Sequence, residues 1–152
     1  MLIHMGPVMM KEKGKWKFLS GGPTSSIRFE KWGAKSVKEW GLKAIIGKTT
    51  MGKSTQRAMK ENICIHASSP ALAINLWAKQ VKEVKGVYWF NELGHIEAPW
   101  MLELKDWGPF LVDIDCQGRN YFDKLDVTID ANRRKAYKDL NIAEDFEYTK
   151  LE

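Results

Sequence analysis

The stretch Gly21-Gly22-Pro23-Thr24-Ser25-Ser26-Ile27-Arg28 follows an apolar run and precedes a helix-like segment. Its glycines let the backbone approach a ligand closely, and its proline stiffens the turn. The hydroxyl groups supply hydrogen-bond donors, and Arg28 supplies a planar fork for a carboxylate or phosphate. This stretch, called the cradle (residues 21–28), therefore predicts a small-anion site. On composition alone, the alternative is a polar strand-to-helix turn with a serine or threonine as N-cap.

The length and composition of the chain are typical of one globular domain with a sizeable core. The chain has 152 residues, of which 44% are hydrophobic and 28% charged. It has no apolar stretch of membrane-spanning length and no signal-peptide pattern, so we expect a cytoplasmic protein without a membrane partner. The formal charge of +5 suits an anionic substrate or an acidic partner surface. Because the basic residues are dispersed and no nucleic-acid module is recognisable, we expect no nucleic-acid partner.

Cysteine and histidine are sparse. Cys64 and Cys116 are far apart in strand-like runs, which predicts buried thiols and no disulfide or metal pair. An iron–sulfur cluster takes three or four cysteines, so the chain is not expected to hold one alone. His4 and His66 lie in strand-like runs and are interpreted as structural, while His95 lies in a loop where it could approach a partner surface.

Strand-like and helix-like segments alternate around the cradle, which predicts an α/β fold. The predicted strands are 2–10 (interrupted at Gly6-Pro7), 16–20, 44–47, 63–67, 87–90 and 110–116, the last two covered on both faces. The predicted helices are 36–40, 54–62 and about 72–84, the last capped by Ser69-Pro70. Residues 126–152 are predicted as a peripheral helix and a loose tail. The domain prediction is 1–140, with a tail over 141–152.

A second pattern competes for function. The run Gly47-Lys48-Thr49-Thr50-Met51-Gly52-Lys53-Ser54 matches the P-loop pattern G-x-x-x-x-G-K-S between an apolar strand and a helix. Lys53 would then reach the outer phosphates and Ser54 would bind magnesium, with Asp113 or Asp115 as an acidic partner. Only about a hundred residues follow the loop, and no arginine finger is evident. Nucleotide binding therefore remains an alternative. The simplest interpretation of the two aspartates is that they end a strand.

Four motifs occur in order along the chain. They are Gly22-Pro23-Thr24-Ser25-Ser26-Ile27-Arg28, Gly47-Lys48, Glu92-Leu93-Gly94 with Glu97-Ala98 and Trp100, and Gly108-Pro109-Phe110-Leu111-Val112-Asp113-Ile114-Asp115. Over residues 3 to about 137 this order and spacing resembles the β subunit of class I (iron–sulfur) fumarate hydratases and L-tartrate dehydratases, which is the C-terminal domain of single-chain class I fumarases. The resemblance implies a three-layer swivelling β/β/α domain with a mixed sheet and flanking helices. It also accounts for the Gly-Lys turn inside the P-loop pattern.

The resemblance implies a hydro-lyase that interconverts fumarate and malate or dehydrates tartrate. In that family a 4Fe-4S cluster is held by a partner α subunit and not by the β chain. Thr24 matches the family threonine that faces the reacting carbon and is considered for proton transfer. Arg28 matches the arginine that grips a carboxylate, and Lys48 matches the lysine of the Gly-Lys pair. The implied assembly is a homo- or hetero-oligomer that includes the α subunit.

The sequence departs from the family pattern in three places. An N-terminal segment of some tens of residues, which carries an arginine and a histidine near the substrate, is expected to be missing. Thr49 stands where the family usually has glycine, and Ser68-Ser69-Pro70 replaces a glycine-rich stretch. These departures leave a rival hypothesis, that of a non-catalytic binding or assembly remnant. Glu92 and Glu97 match family positions and are interpreted as architectural.

Overall fold

The computed structural model of the protein describes residues 1–70, 74–143 and 146. These residues fall into two compact units, 1–119 and 120–152. The strands of the first unit are β1 (Leu2–Ile3), β2 (Val8–Glu12), β3 (Lys15–Ser20), β4 (Ala44–Gly47), β5 (Ile65–Ser68), β6 (Val81–Val87), β7 (Trp100–Leu104) and β8 (Leu111–Ile114). Its helices are α1 (Glu30–Glu39), α2 (Lys53–Asn62), α3 (Ile74–Ala78) and α4 (Phe90–Glu97), and a 3-10 turn covers Ser26–Phe29.

A four-stranded mixed sheet organises the first unit. Its strand order is β1-β4-β5-β8, with β1, β4 and β5 parallel and β8 antiparallel to β5. Two antiparallel hairpins, β2-β3 and β6-β7, stand outside this sheet. The mixed sheet with flanking helices confirms the predicted α/β class. Among the described residues, no helix is long and apolar enough to cross a membrane.

The core of this unit is formed by α1, α2 and the neighbouring strands. Its buried members are Val37, Leu42, Ile45, Met51, Ala58, Met59, Cys64 and Ile114. Predicted helix 36–40 begins six residues earlier, at Glu30. Gly33 lies between the observed and the predicted start of this helix, and a glycine in a helix interior lowers helix stability, which favoured the later start. In the fold Gly33 lies where α1 crosses α2, and an added methyl group would meet Thr55 and Met51.

The helix predicted over 72–84 is wrong in its second half. Helix α3 ends at Ala78, and Val81, Val84 and Val87 belong to β6, which pairs with the unpredicted strand β7. These β-branched residues suit a strand, but their spacing also fits one helix face, so periodicity did not separate the two. Leu72, at the predicted start, lies outside the described residues. Predicted strand 87–90 is also wrong, because α4 begins at Phe90.

Three further sequence predictions are corrected at β8 and its neighbour β5. Strand 110–116 was expected to be covered on both faces, yet Leu111 and Val112 are 51% and 48% exposed, because β8 is the edge strand of the sheet. Cys64 is buried as predicted, whereas Cys116 is exposed in the turn that follows β8. Strand 63–67 starts later, at Ile65, because Ile63 has a left-handed backbone conformation that ends α2.

The second unit is built on α5 (Tyr121–Asp139). Asn120 caps this helix by accepting a hydrogen bond from the Phe122 N–H at 2.9 Å. The helix starts five residues before the predicted position 126. Of the predicted tail, residues 144–145 and 147–152 lie outside the described residues.

Candidate functional site

The cradle lies along the carboxyl end of β4. The His4 N–H donates to the Ile46 carbonyl at 2.8 Å, and the Thr24 N–H donates to the His4 carbonyl at 2.6 Å. Between the cradle and the residue that follows β4, the Lys48 N–H donates to the Thr24 carbonyl at 3.0 Å and the Ser26 N–H donates to the Lys48 carbonyl at 2.8 Å. These hydrogen bonds place residues 24–26 beside the Gly-Lys turn. Two of the predicted site residues, Thr24 and Lys48, are thus neighbours in the fold.

The third predicted residue, Arg28, follows in the 3-10 turn, where its N–H donates to the Ser25 carbonyl at 3.2 Å. Arg28 and Lys48 are exposed, and Thr24 is half-buried. Within the described part of the chain, none of these three side chains has a hydrogen bond or ion pair. Two cationic side chains and a hydroxyl group therefore stand at one end of the sheet with their donors unengaged. This composition suits an anion with more than one carboxylate.

A buried polar network lies directly behind the cradle. Ser26 Oγ is 2.8 Å from His66 Nε2 and 3.0 Å from His4 Nδ1. His66 Nδ1 is 2.7 Å from Asp113 Oδ1, which is also 2.8 Å from Ser68 Oγ. All five residues are buried, with Ser26 and His66 at 0% exposure. The two histidines interpreted from sequence as structural are thus joined to the cradle through Ser26.

His4 is held in its neutral form by this environment. Burial, together with the smaller effect of the nearby His66, lowers the pKa of His4 from 6.5 to about 4. Its ring also stacks on Phe29, with centroids 4.4 Å apart. At neutral pH, His4 is therefore an uncharged hydrogen-bond partner of Ser26.

Gly47, the last residue of β4, packs directly against the cradle. A methyl group at this buried position would overlap Ser26 Oγ. Gly47→Ala is expected to lower the free energy of unfolding by about 2 kcal/mol, the usual cost of overpacking a filled site. Urea unfolding measures this loss. Gly86→Ala is the control, because its methyl group would meet nothing within 4 Å; equal losses in both variants would contradict the close approach.

One family of known proteins matches most of the chain. The sequence model of the family described as Fumarase C-terminus covers residues 1–125 of this chain. The chain belongs to the Fumarase C-terminus family. The resemblance inferred from the four motifs is thereby confirmed at the level of the family.

The names of three relatives agree with the Fumarase C-terminus assignment. The chain is 36% identical over 119 residues to the L(+)-tartrate dehydratase subunit beta of Escherichia coli K12, a match covering 78% of this chain and 59% of that protein. It is 31% identical over 140 residues to a putative L(+)-tartrate dehydratase subunit beta of Methanocaldococcus jannaschii, covering 92% and 68%. A putative class I fumarate hydratase of Geobacillus stearothermophilus is 34% identical over 126 residues, covering 82% and 24%.

In this member of the Fumarase C-terminus family, the Glu30 carboxylate accepts hydrogen bonds from the groups that would bind a phosphate in a P-loop. Glu30 Oε2 accepts from the Gly52 N–H and the Thr55 hydroxyl, both at 2.7 Å. Glu30 Oε1 accepts from the Ser54 hydroxyl at 2.6 Å and from the N–H groups of Ser54 and Thr55 at 3.2 Å. The start of α2 thus already binds an anion, and the nucleotide alternative gains no support.

The residues of this chain do not fit an iron–sulfur cluster. Among residues 1–70, 74–143 and 146, no group of three or more His, Cys, Asp or Glu side chains is arranged to hold a metal ion. Cys64 lies in the core, where burial raises the pKa of its thiol, while Cys116 is exposed. A cluster normally needs at least three thiolates from one neighbourhood.

An apolar groove of about 740 Å³ opens elsewhere in the first unit. It is lined mainly by aliphatic and aromatic side chains, among them Trp32, Trp40, Ile96 and Trp100. It contains none of Thr24, Arg28 and Lys48. The predicted site is therefore an exposed surface at the sheet end and lies outside this groove.

Proposed function

We propose that this chain is a β-type subunit of an iron–sulfur hydro-lyase that hydrates fumarate to malate or dehydrates tartrate. The observation that carries the proposal is the placement of Thr24 beside Lys48, with Arg28 on the adjoining turn and all three donor groups unengaged among the described residues. Membership in the Fumarase C-terminus family supports the reaction class. The names of the relatives support both substrates and do not separate them.

Each residue has a distinct role in this proposal. Arg28 binds one carboxylate through its planar fork, because two parallel N–H groups match two carboxylate oxygens. Lys48 contributes a compact positive charge to the same dianion. Thr24 donates a hydrogen bond near the reacting carbon and is the candidate for proton transfer there. A threonine hydroxyl is a poor base without an activating neighbour, so its binding role is the firmer part of the proposal.

The cluster belongs to a partner in this proposal. A cluster-bearing α subunit would supply an iron that acts as a Lewis acid toward the substrate. This chain would hold the dicarboxylate with the three residues above, and the complex would work in the cytoplasm. The formal charge of +5 favours both the dianionic substrate and an acidic partner surface. The Fumarase C-terminus relatives named as subunits support the existence of a partner chain.

The test is anaerobic reconstitution of this chain with a cluster-loaded α subunit of the same organism. Turnover is measured with fumarate, malate and tartrate as separate substrates. The proposal predicts turnover of at least one substrate by the complex and none by either chain alone. A stable complex that turns over none of them would contradict the proposal and favour a non-catalytic assembly module.

A further inference from the structure

The buried network behind the cradle joins the loop of residues 24–28 to the central sheet. We propose that Ser26, His66 and Asp113 form a positioning triad, which anchors the substrate-binding loop to the central sheet. This inference rests on the proposed function for its catalytic consequence. Its structural part concerns only how residues 24–28 are held in place.

The hydrogen-bond partners favour one assignment of donors and acceptors. Asp113 Oδ1 accepts from His66 Nδ1 at 2.7 Å, and with the ring proton on Nδ1 the other nitrogen, Nε2, is an acceptor. The Ser26 hydroxyl then donates to His66 Nε2 at 2.8 Å and accepts from His4 Nδ1 at 3.0 Å. In this assignment, every donor in this chain of contacts has an acceptor. The arrangement gives the Ser26 side chain one defined orientation.

Ser26 does not act as a nucleophile in this arrangement. Its side chain is 0% exposed, and its hydroxyl is engaged by two imidazole rings. A substrate at the sheet end therefore has no route to Ser26 Oγ. The resemblance to a Ser-His-Asp catalytic triad is one of residue types, and the buried group is left with a positioning role.

The triad reaches the site through the backbone of the cradle. Ser26 lies between Thr24 and Arg28 in sequence, and its N–H donates to the Lys48 carbonyl. Its side chain is tied to His66 on β5, and His66 is tied in turn to Asp113 on β8. Ser26 thus connects the loop that carries Thr24 and Arg28 with two strands of the central sheet. Preorganising donors in this way lowers the cost of ordering them on binding.

Two substitutions of His66 distinguish the hydrogen bond made by its Nε2 atom from the one made by its Nδ1 atom. In His66→Gln the side-chain amide lies near the former Nε2 position and retains a partner for Ser26. In His66→Asn the amide lies near the former Nδ1 position and retains a partner for Asp113 only. Amide hydrogen exchange at Ser26 and Lys48 measures cradle anchoring, and exchange at Gln56, bonded to Gly52 within the α2 region, serves as the internal reference.

The expected result is selective loosening of the cradle. Exchange at Ser26 and Lys48 should rise about tenfold relative to Gln56 in His66→Asn, because a buried hydrogen bond is lost, and clearly less in His66→Gln. Ser26→Ala, which removes only a hydroxyl and is the variant to use if His66→Asn does not fold, should match His66→Asn. Equal acceleration at all three amides, or no acceleration at Ser26 and Lys48, would overturn the proposal.

The effect of the triad on catalysis is measured separately, as KM and kcat of the reconstituted complex. His66→Asn should raise KM more than it lowers kcat, and His66→Gln should recover most of the loss. Unchanged KM with a loosened cradle would overturn the catalytic consequence. If the wild-type complex has no turnover while the exchange pattern is as expected, the proposed function fails and the anchoring role is supported on its own.

Discussion

Replacing Arg28 by alanine is expected to raise the KM for the dicarboxylate about a hundredfold in the reconstituted complex, because a bidentate, charge-assisted contact is lost. Arg28 is exposed and has no side-chain partner among the described residues, so its removal leaves no internal group unpaired. The free energy of unfolding should therefore change by about 0.5 kcal/mol or less. Initial rates over a range of fumarate and tartrate concentrations give KM, and urea unfolding checks stability.

Two further variants sharpen this prediction. Arg57→Ala removes an exposed arginine from α2 and should leave KM unchanged. Arg28→Lys keeps the charge without the planar fork, so its KM should lie between those of wild type and Arg28→Ala. A KM in Arg28→Ala that equals that of Arg57→Ala would remove Arg28 from the site.

Replacing Glu30 by alanine is expected to lower the free energy of unfolding by about 3 kcal/mol, because five donors at the start of α2 lose their acceptor. For a chain of this size, that loss corresponds to a fall in Tm of about 10 °C. Glu39→Ala is the matched control on the same helix. Its exposed pair with Lys35, at 3.8 Å, should contribute almost nothing. Similar losses in both variants would contradict the importance of the Glu30 contacts.

The contribution of the Glu30 carboxylate to stability depends on pH. Burial alone raises the pKa of Glu30, but hydrogen bonds from Ser54, Thr55 and Gly52 outweigh it, so the pKa lies below its ordinary value of 4.5. A carboxyl group whose pKa is lowered by folding stabilises the fold above its unfolded pKa and loses that effect as pH falls through the folded pKa. The stability difference between wild type and Glu30→Ala should therefore narrow on acidification below about pH 4.5.

Local signals were sufficient for much of the fold around the site. Strand β4 and the charged hairpin of β2 and β3 are visible in the sequence as an apolar run and a glycine turn. The cradle was recognised from its residue types, and its position beside Lys48 agrees with a shared site. The roles of Thr24, Arg28 and Lys48 stay predictions.

Non-local contacts explain what sequence reasoning missed. His66 and Asp113 are 47 positions apart and meet because β5 pairs with β8, which no local pattern predicts. Glu30 and Ser54 are 24 positions apart, so no local sequence pattern predicts that Glu30, at the start of α1, caps α2. The nearest available signal was a polar residue within each apolar strand, since a buried polar group needs a partner.

We propose that the cradle and Lys48, and not the P-loop pattern, form the binding site. The most direct test compares kcat/KM for fumarate hydration in the reconstituted complex for wild type, Lys48→Ala and Lys53→Ala. We expect kcat/KM to fall about a hundredfold in Lys48→Ala and less than about threefold in Lys53→Ala, because only Lys48 would bind the substrate. Retained activity in Lys48→Ala together with loss in Lys53→Ala would contradict it.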